Sequence, residues 1–276
     1  MAARLGGRTA HRRALGGRRV GARIGATVTT SLAQVRNLTV SYRGRPAISA
    51  LTGSFTTGSL TAVYGPNGAG KSTLLAALAG RLAAADGSIE LPAAVRARTA
   101  FLPQRAELDR TFPIRVGDVV AMGHWARAGA FGQVNQVQRR ATADALHRVG
   151  ISGLADRLIG EVSVGQLQRA LFARVILQDA PLILLDEPFA AVDTTTTADL
   201  LGVIRQWHVE RRTVVAVLHD VAQVRAHFPQ TLLLARKMLA WGATTDVVTA
   251  VNLAQLRTMA EGWTLAGDDW REAVAV

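Results

Sequence analysis

Apolar and polar residues alternate through Leu38, Thr39, Val40, Ser41 and Tyr42, the two-residue period of a strand with one buried face. Ordered structure is expected to begin near Leu32, and this strand to end at Tyr42. Further strands are predicted over residues 53–57, 60–64, 87–91 and 99–102, the last broken by Pro103-Gln104. Between them Leu74, Leu75, Leu78 and Leu82 recur at helical spacing on an alanine-rich background. From Arg105 to about Val162 the strand signals vanish. A short helix is predicted over 116–122. A longer helical face is marked by Val134, Val137, Ala141, Ala145 and Val149 and is stopped by Gly150. This reads as a helical insertion. Another helix is predicted over 165–178, with Leu167, Leu171 and Val175 on one side. Residues 181–186 form a continuous apolar run ending in Asp186, the pattern of a central parallel strand buried on both faces. Residues 213–218 repeat it and end at His219-Asp220. Residues 231–235 and 238–241 are expected to form a closing hairpin, and a short helical tail follows Val247. The sum is an α/β chain without internal repeats.

One glycine-rich stretch sits between the strand at 60–64 and the helix after it. Gly65-Pro66-Asn67-Gly68-Ala69-Gly70-Lys71-Ser72-Thr73 fits G-x-x-x-x-G-K-[ST], the phosphate-binding P-loop, in its required strand–loop–helix setting. Gly65, Gly68 and Gly70 let the backbone turn its N–H groups toward phosphate oxygens. The helix N-terminus adds the positive end of its dipole. Lys71 would reach the β- and γ-phosphates of ATP, and the Ser72 hydroxyl would bind Mg²⁺.

Composition narrows the setting. At 276 residues and 49% apolar the chain can bury a sizeable core, and it has no cysteine, which excludes disulfides and thiolate metal sites. No apolar run approaches the roughly 20 residues of a spanning helix, so a membrane role would come through a partner. The net charge of +12 invites a nucleic-acid reading. Residues 1–30, however, hold seven arginines (Arg4, Arg8, Arg12, Arg13, Arg18, Arg19 and Arg23) and no acid; removing those seven from +12 leaves +5 for the rest. The body is mildly basic and no nucleic-acid partner is expected. Residues 1–30 read as a basic disordered arm, or as sequence upstream of a translation start near Val28.

A second acidic signal joins the P-loop. The apolar run ends in Asp186-Glu187, which places Asp186 beside Mg²⁺ through water and Glu187 where it can polarise an attacking water. Just upstream, Val162-Ser163-Val164-Gly165-Gln166-Leu167-Gln168-Arg169 resembles the signature usually written L-S-G-G-Q followed by Q-R. With it the chain resembles the nucleotide-binding subunits of ABC transporters over about residues 34–241. Ser163, Gly165 and Gln166 match. Val164 stands where the family usually has glycine, and a β-branched residue there alters how closely the loop approaches the γ-phosphate. The resemblance implies that Tyr42 stacks on adenine, that Gln104 contacts Mg²⁺ and the attacking water, that Asp193 (in Ala190-Ala191-Val192-Asp193) is the acid across a dimer interface, and that His219 touches the γ-phosphate.

The same resemblance implies a P-loop NTPase core with a mixed sheet, an N-terminal antiparallel β-subdomain and an inserted α-helical subdomain. The ATPase domain would cover 31–250, its helical subdomain about 105–165, and a helical tail 251–276. It implies a head-to-tail homodimer in which the P-loop of one subunit and the Ser163–Gly165 loop of the other enclose each ATP. Closure and reopening would drive an integral-membrane permease from the cytoplasmic face of the membrane. Residues 112–123 resemble the permease-facing region of zinc and manganese importers. Ser163-Val164-Gly165-Gln166 with Arg169-Ala170-Leu171-Phe172-Ala173-Arg174 resembles zinc-importer members in particular. An extracytoplasmic metal-binding protein is then an indirect partner. Manganese or chelated iron (siderophore or haem) are the alternative cargoes, and an ABC ATPase outside transport is the more distant alternative. The five histidines other than His219 are read as surface or core residues and not as metal ligands.

Overall fold

The computed structural model describes residues 30–42, 45–104, 109–125, 135–190 and 192–265. Two sheets organise them. Strands β1 (Ser31–Tyr42), β2 (Arg45–Thr56) and β4 (Asp86–Glu90) form an antiparallel sheet in the order β2-β1-β4. Strands β3 (Leu60–Tyr64), β5 (Thr99–Leu102), β6 (Leu182–Asp186), β7 (Thr213–Val217), β8 (Gln230–Ala235) and β9 (Lys237–Ala243) form a six-stranded sheet in the order β5-β6-β7-β3-β8-β9. The first five of these are parallel, and β9 returns antiparallel to β8, which makes the sheet mixed.

Strand periodicity divides the core. Ile183 and Leu185 of β6, with Val214 and Ala216 of β7, face a cluster built with Leu171, Phe172, Val203 and Trp207. Leu182 and Leu184, with Val215 and Val217, face the opposite cluster, which holds Leu74, Leu75, Leu78, Ile48 and Phe55. Every residue of β6 and β7 is buried, so both faces are covered, as a continuous apolar run requires.

Helix α1 (Lys71–Leu78) leaves the P-loop, and α2 (Ala93–Arg96) is a single turn. Helices α3 (Val116–Ala121), α4 (Gln136–Arg148) and α5 (Val164–Gln178) lie between β5 and β6 in sequence, with short 3₁₀ turns at Met122–His124, Ser152–Leu154 and Ile159–Glu161. Among the described residues the only strand-like pairing here is the bridge between Arg115 and Leu158. Helices α6 (Thr194–Val209), α7 (Val221–His227), α8 (Thr244–Val247) and α9 (Ala250–Leu265) complete the fold.

Several elements depart from the sequence pattern. Strand β2 begins at Arg45, eight residues before its expected start at Gly53, because it pairs along nearly the whole of β1 through several bulges. Its Pro46-Ala47 opening has weak strand propensity, and cross-strand pairing overrides it. On α4, Val137 is 75% exposed and not on the buried face. A capping box between Asn135 and Gln138 fixes where the helix starts, and Thr142, Ala145 and Leu146 are the residues that turn inward. Val134 lies outside the described residues. Helix α6 carried no apolar signal in its opening run of four threonines; its start is set by the Asp193 side chain, which accepts from Thr196 N at 2.9 Å. Residues 1–29 of the expected basic arm also lie outside the described residues.

The two sheets meet through β2 and β9. The Trp241 ring packs on Phe55, with ring centroids 4.6 Å apart, and lies over Gly53, where a methyl group would overlap it. Gly53→Ala is therefore expected to destabilise the fold by about 1–3 kcal/mol, measured as a lowered urea midpoint at unchanged m-value. A midpoint equal to wild type would mean that this contact does not join the sheets.

Candidate nucleotide site

Because β5, β6, β7 and β3 are parallel neighbours, their carboxyl ends share one edge of the sheet, where open α/β sheets bind ligands. Four predicted groups arrive there by topology alone. The P-loop follows β3, Asp186-Glu187 closes β6, His219 stands two residues past β7, and Gln104 stands two residues past β5. Gln104 is exposed.

The P-loop is held in shape by close approach. A side chain at Gly65 would overlap the Leu234 carbonyl of β8, and one at Gly70 would meet the Ala47 carbonyl at 2.5 Å. Gly68 and Gly70 have φ of 79° and 92°, in the left-handed region that favours glycine. Ala69 is fully buried and accepts at its carbonyl from Arg236 N, 2.9 Å away, in the β8–β9 turn. Arg236 in turn accepts at its own carbonyl from Ser49 N at 2.8 Å. This backbone stitch from the closing hairpin through the loop to β2 has no side-chain signature. Pro66 is half-buried and Asn67 is exposed. Lys71 is 5% exposed, and its Nζ donates to the carbonyls of Gly65 and Pro66, each at 2.9 Å. Burial lowers its pKa, with Glu187 and Asp186 acting in the other direction. Thr73 is buried on the same turn.

Asp186 is 3% exposed. Its pKa is pushed up to about 6, first by desolvation and also by the negative charge of Glu187; the Ser72 hydroxyl bond, Lys71 and His219 pull it down. Its Oδ1 is buried without a hydrogen-bond partner. A buried carboxylate oxygen with no donor, beside the Ser72 hydroxyl, is the hard oxygen set that a divalent cation accepts. Glu187 has φ of 50°, unusual for a residue with a side chain. Its Oε1 lies 2.5 Å from His219 Nε2, with Glu187 15% and His219 44% exposed. One site thus holds Lys71, Ser72, Asp186, Glu187 and His219 in electrostatic or hydrogen-bonding contact.

The remaining predicted residues form a second group. Ser163 caps α5 in a reciprocal box: Gln166 N donates to Ser163 Oγ at 3.2 Å, and Ser163 N donates to Gln166 Oε1 at 2.9 Å. Val164 and Gly165 are the first residues of α5, and Val164 is 58% exposed. Asp193 caps α6 and pairs with Arg169 at 3.2 Å. Among the described residues, no hydrogen bond or ion pair joins this group to the P-loop. Tyr42 ends β1, and its side chain lies outside the described residues, as does Ala191. Sequence reasoning assigned no role to Gln168 or Arg169, although both stand in the signature stretch, and it gave none to Arg236.

The titration of Asp186 gives a stability test. Its folded pKa lies above the ordinary carboxylate value, so the folded state holds a proton that the unfolded state has released between about pH 4 and 6. The neutral form's contribution is present below that window and lost as pH rises through it. Asp186→Asn, which stays neutral, is expected to be more stable than wild type at pH 7–8, by at most about 3 kcal/mol. The gain should shrink toward pH 4. Urea midpoints across pH check this; a gain independent of pH would remove burial of the charge as its cause.

The ABC transporter family matches residues 48–190. The manganese transport system ATP-binding protein MntB of Listeria monocytogenes is 37% identical over 78% of this chain and 92% of its own length. The zinc transport system ATP-binding protein TroB of Treponema pallidum is 36% identical over 81% of this chain and 85% of its own. A solved inward-facing ABC transporter superposes with a TM-score of 0.72 at 30% identity, covering 83% of this chain and 90% of that one. With the P-loop and the acidic strand end on one sheet edge and the signature stretch opening α5, the chain belongs to the ATP-binding subunits of ABC transporters.

Proposed function

We propose that this chain hydrolyses ATP to energise a metal-ion importer, with zinc as its cargo. The observation that carries the chemistry is the convergence of Lys71, Ser72, Asp186, Glu187 and His219 on one sheet edge. Backbone N–H groups of Gly65–Thr73 would cradle the phosphates, and Lys71 would neutralise the β- and γ-oxygens. Ser72, Asp186 and Gln104 would hold Mg²⁺, which supplies further neutralisation of the transferring phosphoryl group. Glu187 orients the attacking water and accepts its proton. His219, whose Nε2 lies 2.5 Å from Glu187 Oε1, would fix the carboxylate and touch the γ-phosphate. Tyr42 would stack on adenine. Ser163, Gly165, Gln166 and Asp193 would act on the ATP of the partner subunit in a head-to-tail homodimer, which accounts for their separation from the P-loop within one chain.

The assignment of residues 31–250 to the ATPase domain, about 105–165 to its helical subdomain and 251–276 to a tail belongs to this reading. No helix among the described residues is long and apolar enough to cross a membrane, so the reading places the chain peripherally on the cytoplasmic face, against a separate permease served by an extracytoplasmic binding protein. The metal assignment draws on relatives named for manganese and zinc transport. Zinc is preferred on the signature stretch from Ser163 to Arg174. Manganese is the second reading, favoured by the relatives named for it.

Two tests apply. Glu187→Gln is expected to trap a dimer with MgATP that light scattering resolves from monomer, and adding Lys71→Ala to it should abolish both nucleotide binding and the dimer. A Glu187→Gln chain that stays monomeric at saturating ATP would count against the sandwich. For the cargo, a strain lacking this chain should grow poorly under chelation and recover at low added zinc, with manganese and iron ineffective. Recovery by manganese alone would replace zinc with manganese, and no growth defect with any metal would detach the chain from metal import.

A further inference from the structure

Two consecutive residues of α5 reach the loop that carries Glu187, one at each end. Gln168 is 8% exposed, and its Nε2 donates to the carbonyl of Pro188, the residue after Glu187, at 3.3 Å. Arg169 donates from Nη2 to Asp193 Oδ2 at 3.2 Å, where the loop enters α6. The other arm of the same guanidinium, Nη1, donates to the carbonyl of Val149 at 3.5 Å, at the C-terminal end of α4. That helix end favours a cation. Gly150, with φ of 69°, leaves room there, since a side chain on it would lie 3.2 Å from Arg169 Nη1.

The Arg169–Asp193 pair does little to hold the fold. Arg169 is 23% and Asp193 63% exposed, and part-exposed ion pairs are weak. Asp193 already accepts from Thr196 N at 2.9 Å and from Thr196 Oγ1 at 2.6 Å, so α6 is capped without the arginine. Thr196 is also the main cause of the lowered Asp193 pKa, and Arg169 the least. A contact that is weak, dispensable to its own cap and shared between two helices suits a joint that makes and breaks, because a planar two-armed donor can report the position of one acceptor to the other.

We propose that Gln168 and Arg169 form a two-point clamp on the loop from Glu187 to Asp193, and that Arg169 is a positioning residue passing nucleotide-dependent movement of Asp193 to the end of α4. The proposal rests on the reading of Glu187 and Asp193 as nucleotide-site residues. Gln168 is the fixed point, buried and bonded beside Glu187. Arg169 is the moving point. Displacement of Asp193 then alters the hold on Val149, and so the seating of α4 against α5.

Hydrogen exchange on the full chain tests the relay. In a Glu187→Gln background, MgATP is expected to slow exchange at the P-loop, at residues 187–193 and at residues 144–150. Adding Arg169→Ala should keep the first two responses and abolish the third. Arg169→Lys, which has a single donor centre in place of the fork, should retain the loop response and restore the third only in part. With Glu187 intact, Arg169→Ala should lower kcat about tenfold while KM for ATP moves less than about threefold. An unchanged response at 144–150 in Arg169→Ala would overturn the relay. So would a loss of all three responses together with the thermal midpoint, which is the signature of a merely structural residue. If the parent shows no MgATP response at the P-loop or at 187–193, the nucleotide-site reading itself falls, and the relay with it; a parent that responds there and an alanine variant that responds everywhere remove the relay alone.

Discussion

The constraint on which this molecule turns is a carboxylate held out of water. Asp186 closes a strand buried along its whole length, and that burial is the largest cause of its pKa being pushed up to about 6. Each nearby group is a response to it. Lys71 is buried opposite, Ser72 supplies a hydroxyl, and Oδ1 is left without a donor. A second carboxylate follows at once. Two acids side by side in a dry site repel; Glu187 takes a left-handed backbone conformation, and its carboxylate lies against His219. A cation bound as proposed would offset the repulsion between the two carboxylates and meet the unpartnered Oδ1.

The sheet makes this affordable. β6 sits between β5 and β7, and helices and the antiparallel sheet cover its two faces. Parallel strands deliver all their carboxyl ends to one side, so a P-loop after β3, a histidine after β7 and a glutamine after β5 follow strand ends on the same edge without long-range instruction. The P-loop needs more than its glycines. It is pinned from behind by Leu234 and Arg236, and the Arg236 backbone ties it to Ser49 of the other sheet. The antiparallel sheet and the closing hairpin are therefore parts of the phosphate loop's support.

What the sequence made legible follows from this physics. β6 announces itself because a strand buried at every position reads as an unbroken apolar run, and Gly65 to Thr73 because phosphate binding restricts residue type at fixed spacing. What stayed hidden lacks such a restriction. The first half of β2 is held by pairing with β1, and α6 starts on a threonine run whose only local cue is the Asp193 cap. Val137 falls on a helical period yet faces outward, because the capping box at Asn135 sets the phase. Gln168, Arg169 and Arg236 act through hydrogen bonds to backbone groups or to one carboxylate distant in sequence, and no residue pattern encodes a partner that only the fold supplies.

The capping box on α5 bears on how the signature loop can work despite Val164. Ser163 Oγ accepts from Gln166 N, and the Gln166 side chain accepts from Ser163 N, so both backbone donors are satisfied before any ligand arrives. A hydroxyl that accepts at its oxygen keeps its own proton to donate. The box thus holds the Ser163 side chain in place at the positive end of a 15-residue helix, with its hydroxyl proton left uncommitted by the cap. Val164 is the next residue, and its side chain is mostly in solvent and takes no part in the box. Its bulk therefore acts on how near a phosphate can come, and leaves the donor geometry of Ser163 and the start of α5 as they would be with glycine. In the proposed dimer, the departure from the family pattern would be confined to approach distance, and the preorganisation that transition-state stabilisation requires would be spared.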